Sequence, residues 1–312
     1  MTEKAPATVT IGIPTYNRAD GFLREALESA LGQTYEFVEI IVSDNCSTDN
    51  TAQYIAGFDD ERLRYLRHGK NLGPNGNFNA CLNAATGDYF LLLCDDDLID
   101  ADMVETCLQA ANGRRDLGVI RCGARVIDEE GAVGYQRENI VDEDSLEGLA
   151  RAWFAKSTAI YLCSTLFNTQ ALRDVGGLSS MHNLLEDGYG IARLGNSMGI
   201  CNAKEVKASF RRYSQQRTNS VPIREWCEDY LGLLELICAN VPDSERSEIR
   251  TVGHKYFGGL CLTRTHPLDS VIGRMRARKV VYDIFGYRFM MSRARKHVMR
   301  PVRRMLSQPK SA

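Results

Sequence analysis

The chain has 312 residues, which is enough for one large domain or two smaller ones. Its composition, with 44% hydrophobic and 25% charged residues, is ordinary for a soluble globular protein. A net charge of −2 gives no indication that the whole molecule is a nucleic-acid-binding protein.

Strands and helices alternate through the first 120 residues. Apolar runs predict strands over residues 7–14, 37–43, 62–68 and 89–93. Apolar residues at helical spacing predict helices over 21–31, from Ser47 or Asp49 onward, over 73–87 and over 101–113. This alternation predicts an α/β fold, with a mostly parallel central sheet flanked by helices.

Three polar clusters follow predicted strands at the point where each strand ends. They are PTYNR (14–18), DNCSTD (44–49) and DDD (95–97). A turn explains any one of them equally well. Because the carboxyl ends of parallel strands meet at one edge of a sheet, three clusters together favour a ligand site.

The DDD cluster indicates metal chemistry. Adjacent carboxylates repel one another, and each is pushed toward protonation unless a cation neutralises it. Mg²⁺ and Mn²⁺ prefer oxygen ligands, and Mg²⁺ commonly binds one or two carboxylates together with substrate phosphates. The alternative is an acidic turn before the next helix, where Asp is favoured.

The pattern changes after about residue 120. Strands are predicted over 118–128 and 159–167, with a turn and a polar excursion over 129–139. Helices are predicted over 146–156 and 168–178, and a loop that enters a helix over 183–200. The remainder, after about residue 221, is predicted to be helical and increasingly basic.

Three segments closely resemble inverting family 2 glycosyltransferases with the GT-A fold. Residues 9–51 contain VTIGIPTYNR, residues 71–105 contain LLLCDDDLID, which matches the family's DXD segment, and residues 174–193 contain NLLEDGYGIAR. They occur in the family's order and spacing over about 8–215. The resemblance implies a metal-dependent enzyme, using Mg²⁺ or Mn²⁺, that moves one sugar from a nucleoside diphosphate sugar to a hydroxyl. A UDP-sugar is the favoured donor, and a cell-surface glycan or a lipid-linked glycan precursor is the expected acceptor.

The resemblance implies a donor site in the first half of the chain. Asp44 matches the position that hydrogen-bonds the base, and Asn45 stands where many members carry a second Asp. Asp96 matches the metal ligand, Asp95 a ribose or second metal contact, and Asp97 a further ligand or a helix cap. The implied nucleotide-sugar site comprises Pro14, Thr15, Tyr16, Asn17, Asp44, Asn45, Asp95 and Asp96, and the implied metal site comprises Asp96 and Asp97.

The resemblance also implies a general base. Glu186 and Asp187 match the family's ED pair, and Asp187 is assigned as the base that deprotonates the acceptor hydroxyl opposite the leaving diphosphate. An acidic first turn of a helix explains the same residues structurally. Gly188 and Gly190 stand where other members often have an acidic or bulky residue, which predicts either a looser segment or room for a larger acceptor.

The loop over 209–220 is rich in arginines, and the chain is expected to divide into three regions. Arg211 and Arg212, and also Arg217, are candidate diphosphate contacts, and a solvated basic loop is the alternative. The expected regions are a nucleotide-sugar-binding half over 1–120, an acceptor-binding half with the base over 121–220, and a helical, basic region over 221–312.

Several other classes of protein are disfavoured by missing motifs. No Gly-rich nucleotidyltransferase loop, GxGxxG turn or P-loop follows the first strand. The QxxRW motif of processive synthases is also missing, which favours transfer of one sugar per encounter. The remaining alternative is a non-catalytic protein that binds a sugar nucleotide or a glycan on a GT-A fold.

The last part of the chain, residues 273–310, interleaves apolar residues with arginines and lysines, and Asp283 is its only acid. Such helices lie on anionic membrane surfaces, or pack their apolar side on the domain. The ten cysteines occur singly, which favours reduced thiols. With no apolar run near about 18 residues, we expect a cytoplasmic protein that associates with the inner face of the cell membrane through this segment.

Overall fold

A computed structural model describes residues 5–266 and 270–286. Within them the strands are β1 (Val9–Thr15), β2 (Val38–Asp44), β3 (Leu63–Arg67), β4 (Tyr89–Leu92), β5 (Leu98–Ile99), β6 (Leu117–Ile127), β7 (Val133–Arg137), β8 (Thr165–Asn168) and β9 (Gly199–Arg211). The α-helices are α1 (Leu23–Leu31), α2 (Thr51–Ile55), α3 (Gly73–Ala84), α4 (Met103–Ala111), α5 (Leu146–Ala155), α6 (Thr169–Asp174), α7 (Glu186–Leu194), α8 (Ile223–Asn240), α9 (Asp243–Arg264) and α10 (Val271–Phe285).

All nine of these strands form one sheet, in the order β3-β2-β1-β4-β8-β6-β9-β5, with β7 added beside β6. The first four strands in this order are parallel, as the alternation of strands and helices predicts. Beyond β4 the sheet is mixed, because β8 runs antiparallel to both β4 and β6 while β6 and β9 are parallel. The predicted α/β fold with a central sheet flanked by helices is confirmed.

The sheet is covered on both faces. Alternate residues of β4 point to opposite sides, so that Phe90 and Leu92 join one core while Tyr89 and Leu91 join the other. The first core is formed with α3, α5 and the helices from α7 onward, and the second with α1 and α4. Burial on both sides explains why β1, β2 and β4 are nearly continuous apolar runs.

The second half differs from the sequence prediction in three places. The polar stretch predicted as an excursion contains β7, an exposed edge strand paired with β6. The predicted strand over 159–167 is a strand only from Thr165, because a 3₁₀ turn occupies Leu162–Ser164. The strand β9 runs for 13 residues and includes the start of the predicted basic loop. The expected region boundary at residue 120 falls inside β6, so both halves share the sheet.

The described C-terminal region is helical, as predicted. Ala277, Val281 and Phe285 of α10 are buried, and the helix packs on α8 and α9. The part of the predicted basic segment up to residue 286 therefore packs its apolar side against the domain. Residues 287–310 lie outside the described residues. No helix among the described residues has the length and apolar character needed to cross a bilayer.

Candidate functional site

Three strand ends converge on one cavity of about 370 Å³, called here the strand-end cavity. Thr15 ends β1 opposite Asp44 at the end of β2, and the three aspartates follow β4 on the other side of β1. The lining includes Pro14, Thr15, Tyr16, Asn45, Asp95, Asp96 and Asp97. The sequence prediction that polar strand ends meet at one edge is confirmed.

Each of the three aspartates has a different partner. The Thr15 hydroxyl donates to Asp95 Oδ2 at 2.8 Å, and the Tyr213 hydroxyl donates to Asp96 Oδ2 at 3.0 Å. The backbone N–H of Arg211 donates to Asp97 Oδ1 at 2.9 Å. The partners come from β1, from the segment after β9 and from β9 itself, so the triplet joins both halves of the sheet.

The three aspartates repel one another electrostatically. Burial and the neighbouring Asp96 raise the pKa of Asp95 to about 7. Burial raises the pKa of Asp96 as well, and burial together with Asp96 raises the pKa of Asp97 well above its ordinary value. A bound cation would relieve this repulsion.

The residues present fit a divalent metal with oxygen ligands. One ligand atom each of Cys94, Asp96 and Asp97 lies within 4.8 Å of the others. The two carboxylates suit Mg²⁺ or Mn²⁺, whereas a cysteine sulfur is too soft a donor for Mg²⁺. Asp96 and Asp97, the two residues predicted as ligands, are therefore brought together with their oxygens close.

Arg18 and Tyr213 belong to this site, although the sequence did not identify them as site residues. Arg18 Nη2 donates to the Tyr213 hydroxyl at 3.1 Å, and the same hydroxyl donates to Asp96. Tyr213 is 8% exposed and packs edge-to-face on Phe22, with ring centroids 5.3 Å apart. Arg18 lies within the PTYNR cluster, but its contact with Tyr213 joins residues 195 positions apart and left no local signal.

Asp44, Asn45 and Asn17 make mainly internal contacts. The buried Asp44 carboxylate accepts from the Ser47 N–H at 2.8 Å and from the Tyr65 hydroxyl, and it is absent from the lining of the strand-end cavity. Asn45 Oδ1 accepts from the Leu72 N–H at 2.7 Å, while the residue lines the cavity. Asn17 Oδ1 accepts from the Thr48 N–H at 2.8 Å. The predicted base contact of Asp44 stays a prediction.

A second cavity of about 440 Å³, the aromatic cavity, adjoins the first. Eight aromatic side chains line it, among them Trp153, Tyr161, Phe210 and Trp226. The two cavities share lining residues, which are Phe78, Cys94, Asp97, Phe210, Arg217 and Thr218. The two cavities are therefore neighbours, and these six residues are called here the shared wall.

Asp187 and Glu186 begin α7 and line the aromatic cavity. Burial raises the pKa of Asp187 to about 7, against a smaller opposing effect of its hydrogen bond from the Gly188 N–H. Burial also raises the pKa of Glu186, whose Oε1 has no hydrogen-bond partner among the described residues. Asp187 thus lines the aromatic cavity, whereas Asp95 and Asp96 line the strand-end cavity. Its raised pKa is near the range in which a general base works best.

Gly188 and Gly190 do not make room for a larger ligand. A Cβ at Gly188 would lie 2.6 Å from Leu233 Cδ2 of α8, and one at Gly190 would lie 3.0 Å from Phe167 Cε1 of β8. The two glycines let α7 approach α8 and the sheet closely. The sequence-based interpretation is corrected here: their missing side chains serve packing that positions Asp187.

The three arginines predicted as diphosphate contacts, Arg211, Arg212 and Arg217, lie in different places. Arg211 is fully buried, and its guanidinium donates to the backbone oxygens of Asp96 and Glu129, both at 2.9 Å, and to the Glu25 carboxylate. It lines neither cavity, so its donors are already used inside the fold. Arg212 lines the aromatic cavity and not the strand-end cavity. The arginines that line the strand-end cavity are Arg18 and Arg217.

Comparison with known sequences matches a protein-family model described as glycosyl transferase family 2 to residues 10–176. The curated relatives include a GalNAc(5)-diNAcBac-PP-undecaprenol beta-1,3-glucosyltransferase of Campylobacter jejuni, 36% identical over 107 residues. That match covers 33% of this chain and 34% of the relative. The chain thus spans about a third of the length of the curated relatives it matches.

Solved structures with the same fold include TarS 1–349 of S. aureus in complex with UDP-GlcNAc, with a TM-score of 0.67 and 17% identity. That match covers 89% of this chain and 80% of TarS 1–349. The mannosyltransferase PcManGT of Pyrobaculum calidifontis, in complex with GDP-Man and Mn²⁺, matches with a TM-score of 0.57 and 15% identity, over 91% of this chain and 82% of that one. At these identities the likeness shows the fold.

Proposed function

This chain belongs to glycosyl transferase family 2, and from that membership we propose that it transfers one sugar from a nucleoside diphosphate sugar to a hydroxyl group of an acceptor. The observation that carries the proposal is the pair of adjoining cavities. One is lined by the three aspartates at the strand ends, and the other by Asp187. This arrangement suits a donor and an acceptor that meet at the shared wall.

In the proposed reaction, Asp187 accepts the proton of the acceptor hydroxyl as that oxygen bonds to the anomeric carbon. The bond between the anomeric carbon and the diphosphate oxygen breaks, and the nucleoside diphosphate leaves. We propose that the attack comes from the side of the sugar opposite the leaving group, as in the inverting family 2 enzymes that the sequence resembles. Such a displacement inverts the anomeric configuration.

Asp96 and Asp97 would hold Mg²⁺ or Mn²⁺, which when bound neutralises charge on the diphosphate. Support for the metal comes from the close carboxylates and from PcManGT, a protein with the same fold whose solved complex contains Mn²⁺. Arg18, unpaired with any carboxylate among the described residues but hydrogen-bonded to Tyr213, is positioned to add positive charge at the same cavity. We therefore propose that Arg18, and not Arg211, contacts the diphosphate.

The donor is proposed to be a UDP- or GDP-sugar, the two kinds that the solved structures with this fold contain. Purified protein is screened by thermal shift against UDP-, GDP-, dTDP- and CDP-sugars with Mg²⁺ or Mn²⁺, since a ligand of the native state alone raises apparent stability. A metal-dependent shift with one nucleotide class, followed by release of that nucleoside diphosphate on transfer, supports the proposal. No shift with any sugar nucleotide would contradict it.

Activity is expected to depend on pH through Asp187. Its pKa is raised to about 7, and a base acts only when it is ionised, so transfer should fall as the pH drops below about 7 and level off above it. The measurement is kcat/KM between about pH 5 and 9 at saturating metal, with donor affinity measured over the same range. A rate that is unchanged from the alkaline end of this range to the acid end would contradict the assignment of Asp187.

The acceptor is proposed to be a cell-surface glycan or a lipid-linked glycan precursor, and one relative's name specifies a PP-undecaprenol compound. If the acceptor is lipid-linked, the basic C-terminal segment would hold the enzyme at the membrane that contains it. Each lysine or arginine near an anionic surface contributes about 1 kcal/mol to the free energy of membrane binding. Val271, Ile272 and Met275, at the start of α10, are exposed.

Full-length protein is therefore expected to sediment with anionic liposomes at low salt and to be released at high salt. The matched control is a truncation after Gly286, which keeps the buried residues of α10 in place and removes the basic residues that follow. A truncation before α10 would instead expose the core. Equal sedimentation of the two proteins, or no binding at low salt, would exclude residues 287–312 as a membrane anchor.

A further inference from the structure

Four cations line the aromatic cavity and not the strand-end cavity. They are Arg137, Lys156, Arg212 and Arg264, called here the cavity cations. They come from four elements: the end of β7, the residue after α5, the residue after β9 and the end of α9. The fold thus brings together at one cavity residues as far apart in the chain as Arg137 and Arg264, which are separated by 127 positions.

None of the cavity cations has a carboxylate oxygen within 4.0 Å among the described residues. Some surface cations elsewhere on the chain are paired, among them Arg62 with Asp60 at 2.8 Å, Arg114 with Asp116 at 2.9 Å, and Arg246 with Asp243 at 2.7 Å. The acidic side chains of the aromatic cavity, Asp97, Glu186 and Asp187, are near the shared wall or at the start of α7. The cavity therefore offers positive charge that the described part of the protein leaves unneutralised.

Two of the four cavity cations, Arg137 and Arg264, are placed against aromatic rings. The Arg137 guanidinium carbon lies 5.8 Å from the Tyr135 ring centroid, and the Tyr135 and Tyr161 hydroxyls are 3.4 Å apart. Tyr161 stacks on Phe210 with ring centroids 4.4 Å apart. On another part of the lining, Arg264 lies 3.3 Å from the Trp226 ring centroid. Flat rings suit the apolar face of a sugar ring, and the guanidinium groups between them suit an anion.

We propose that the aromatic cavity binds an acceptor carrying a phosphate group, and that the cavity cations contact its oxygens. Three of the four are arginines, whose planar donor forks match phosphate oxygens. A carboxylate has two oxygens in one plane, which a single guanidinium satisfies. Cations from four separate elements match the greater charge and the differently directed oxygens of a phosphate. This inference rests on the proposed function, because it identifies the aromatic cavity as the acceptor site.

The test uses protein saturated with Mn²⁺ and with UDP or GDP, whichever the donor screen selects, so that phosphate does not bind in the strand-end cavity. Methyl glucoside, its 6-phosphate and methyl glucuronide are then titrated by calorimetry. We expect the 6-phosphate to bind about tenfold more tightly than the other two probes, and less tightly as salt increases. Equal binding of the 6-phosphate and the neutral glucoside, or of the 6-phosphate and the glucuronide, would overturn the proposal.

Variants locate the site. Arg212→Gln and Arg137→Gln are each expected to weaken binding of the 6-phosphate by about tenfold while leaving nucleoside diphosphate affinity unchanged. The control is Arg114→Gln, which removes a partly exposed arginine that lines neither cavity. An equal loss in the control, or no loss in the two cavity variants, would contradict the proposal.

A further arm separates the two sources of the phosphate. A glucosyl farnesyl diphosphate in detergent represents a lipid-linked acceptor, and a glycerol phosphate oligomer represents a phosphodiester polymer. Dependence on Arg212 with either one supports the inference and identifies the source. If no nucleoside diphosphate binds at all, the proposed function fails and this inference fails with it. If one binds but the phosphate adds nothing to acceptor affinity, this inference alone fails.

Discussion

Replacing Asp187 with Asn is expected to reduce sugar transfer by about 10²–10⁴ while leaving the fold and donor binding intact. The amide has the same shape as the carboxylate, and its oxygen can still accept the 2.7 Å hydrogen bond from the Gly188 N–H. It cannot accept the proton of an attacking hydroxyl. Because Asp187 does not line the strand-end cavity, nucleotide affinity should not change.

The measurement is the initial rate of transfer, with donor affinity and thermal unfolding recorded for the same variant. Glu186→Gln provides the discriminating comparison, because Glu186 lies in the same cavity, precedes Asp187 and also has a raised pKa. A smaller loss in Glu186→Gln supports Asp187 as the base. A larger loss in Glu186→Gln, with near-normal transfer by Asp187→Asn, would exchange the two roles.

Replacing Asp96 with Ala is expected to abolish metal-dependent donor binding. Asp96 is a member of the close group of metal-type ligands, and without it the donor's diphosphate would approach Asp95 and Asp97 with no cation held between them. The apo protein should tolerate the change, because removing Asp96 also removes a charge that raises the pKa of both neighbours.

This prediction is checked by titrating the donor in Mn²⁺ and in EDTA, and by thermal unfolding with and without Mn²⁺. The wild-type protein should show metal-dependent affinity and a higher Tm with metal and donor, and Asp96→Ala should show neither. Asp102→Ala is the matched control, since Asp102 lies shortly after the triplet in the chain but pairs with Lys207 and lines neither cavity. If the wild-type protein bound the donor equally well in EDTA and in Mn²⁺, the proposed role of the metal in donor binding would be contradicted.

Much of the strand-end cavity could be predicted because its signals are local. A buried strand is an apolar run, and a strand end is marked by polar residues that follow within a few positions. Pro14, Thr15 and Tyr16 lie at the end of β1, and the aspartates lie shortly after the end of β4. Parallel pairing then brings them together, because the carboxyl ends of neighbouring parallel strands lie at one edge.

Side-chain direction within those segments was less predictable. Asp44 and Asn45 are adjacent, yet Asn45 lines the strand-end cavity while Asp44 turns to Tyr65 and Ser47. Which of two neighbouring residues faces a ligand depends on what packs around the end of the strand.

Arg211 and Arg212, which are adjacent near the start of the predicted loop, show the same effect. Successive side chains of a strand point to opposite sides. Arg211 is consequently buried against Phe22 and Glu25, and Arg212 faces the aromatic cavity. The sequence assigned both to one role because it shows their charge and not the direction in which each side chain points at the end of β9.

The sequence by itself determined the α/β alternation, the strand-end clusters and the acidic start of α7, because these depend on residues close together in the chain. Only the tertiary structure decided how distant segments meet. The Tyr213 hydroxyl reaches Asp96 across 117 positions, and Gly188 lets α7 pack against Leu233 of α8. The aromatic cavity is assembled from β7, α5, α8 and α9, whose separate sequences show only amphipathic or polar patterns. The physical reason is that such contacts depend on packing between elements, which leaves no periodic signal in either partner.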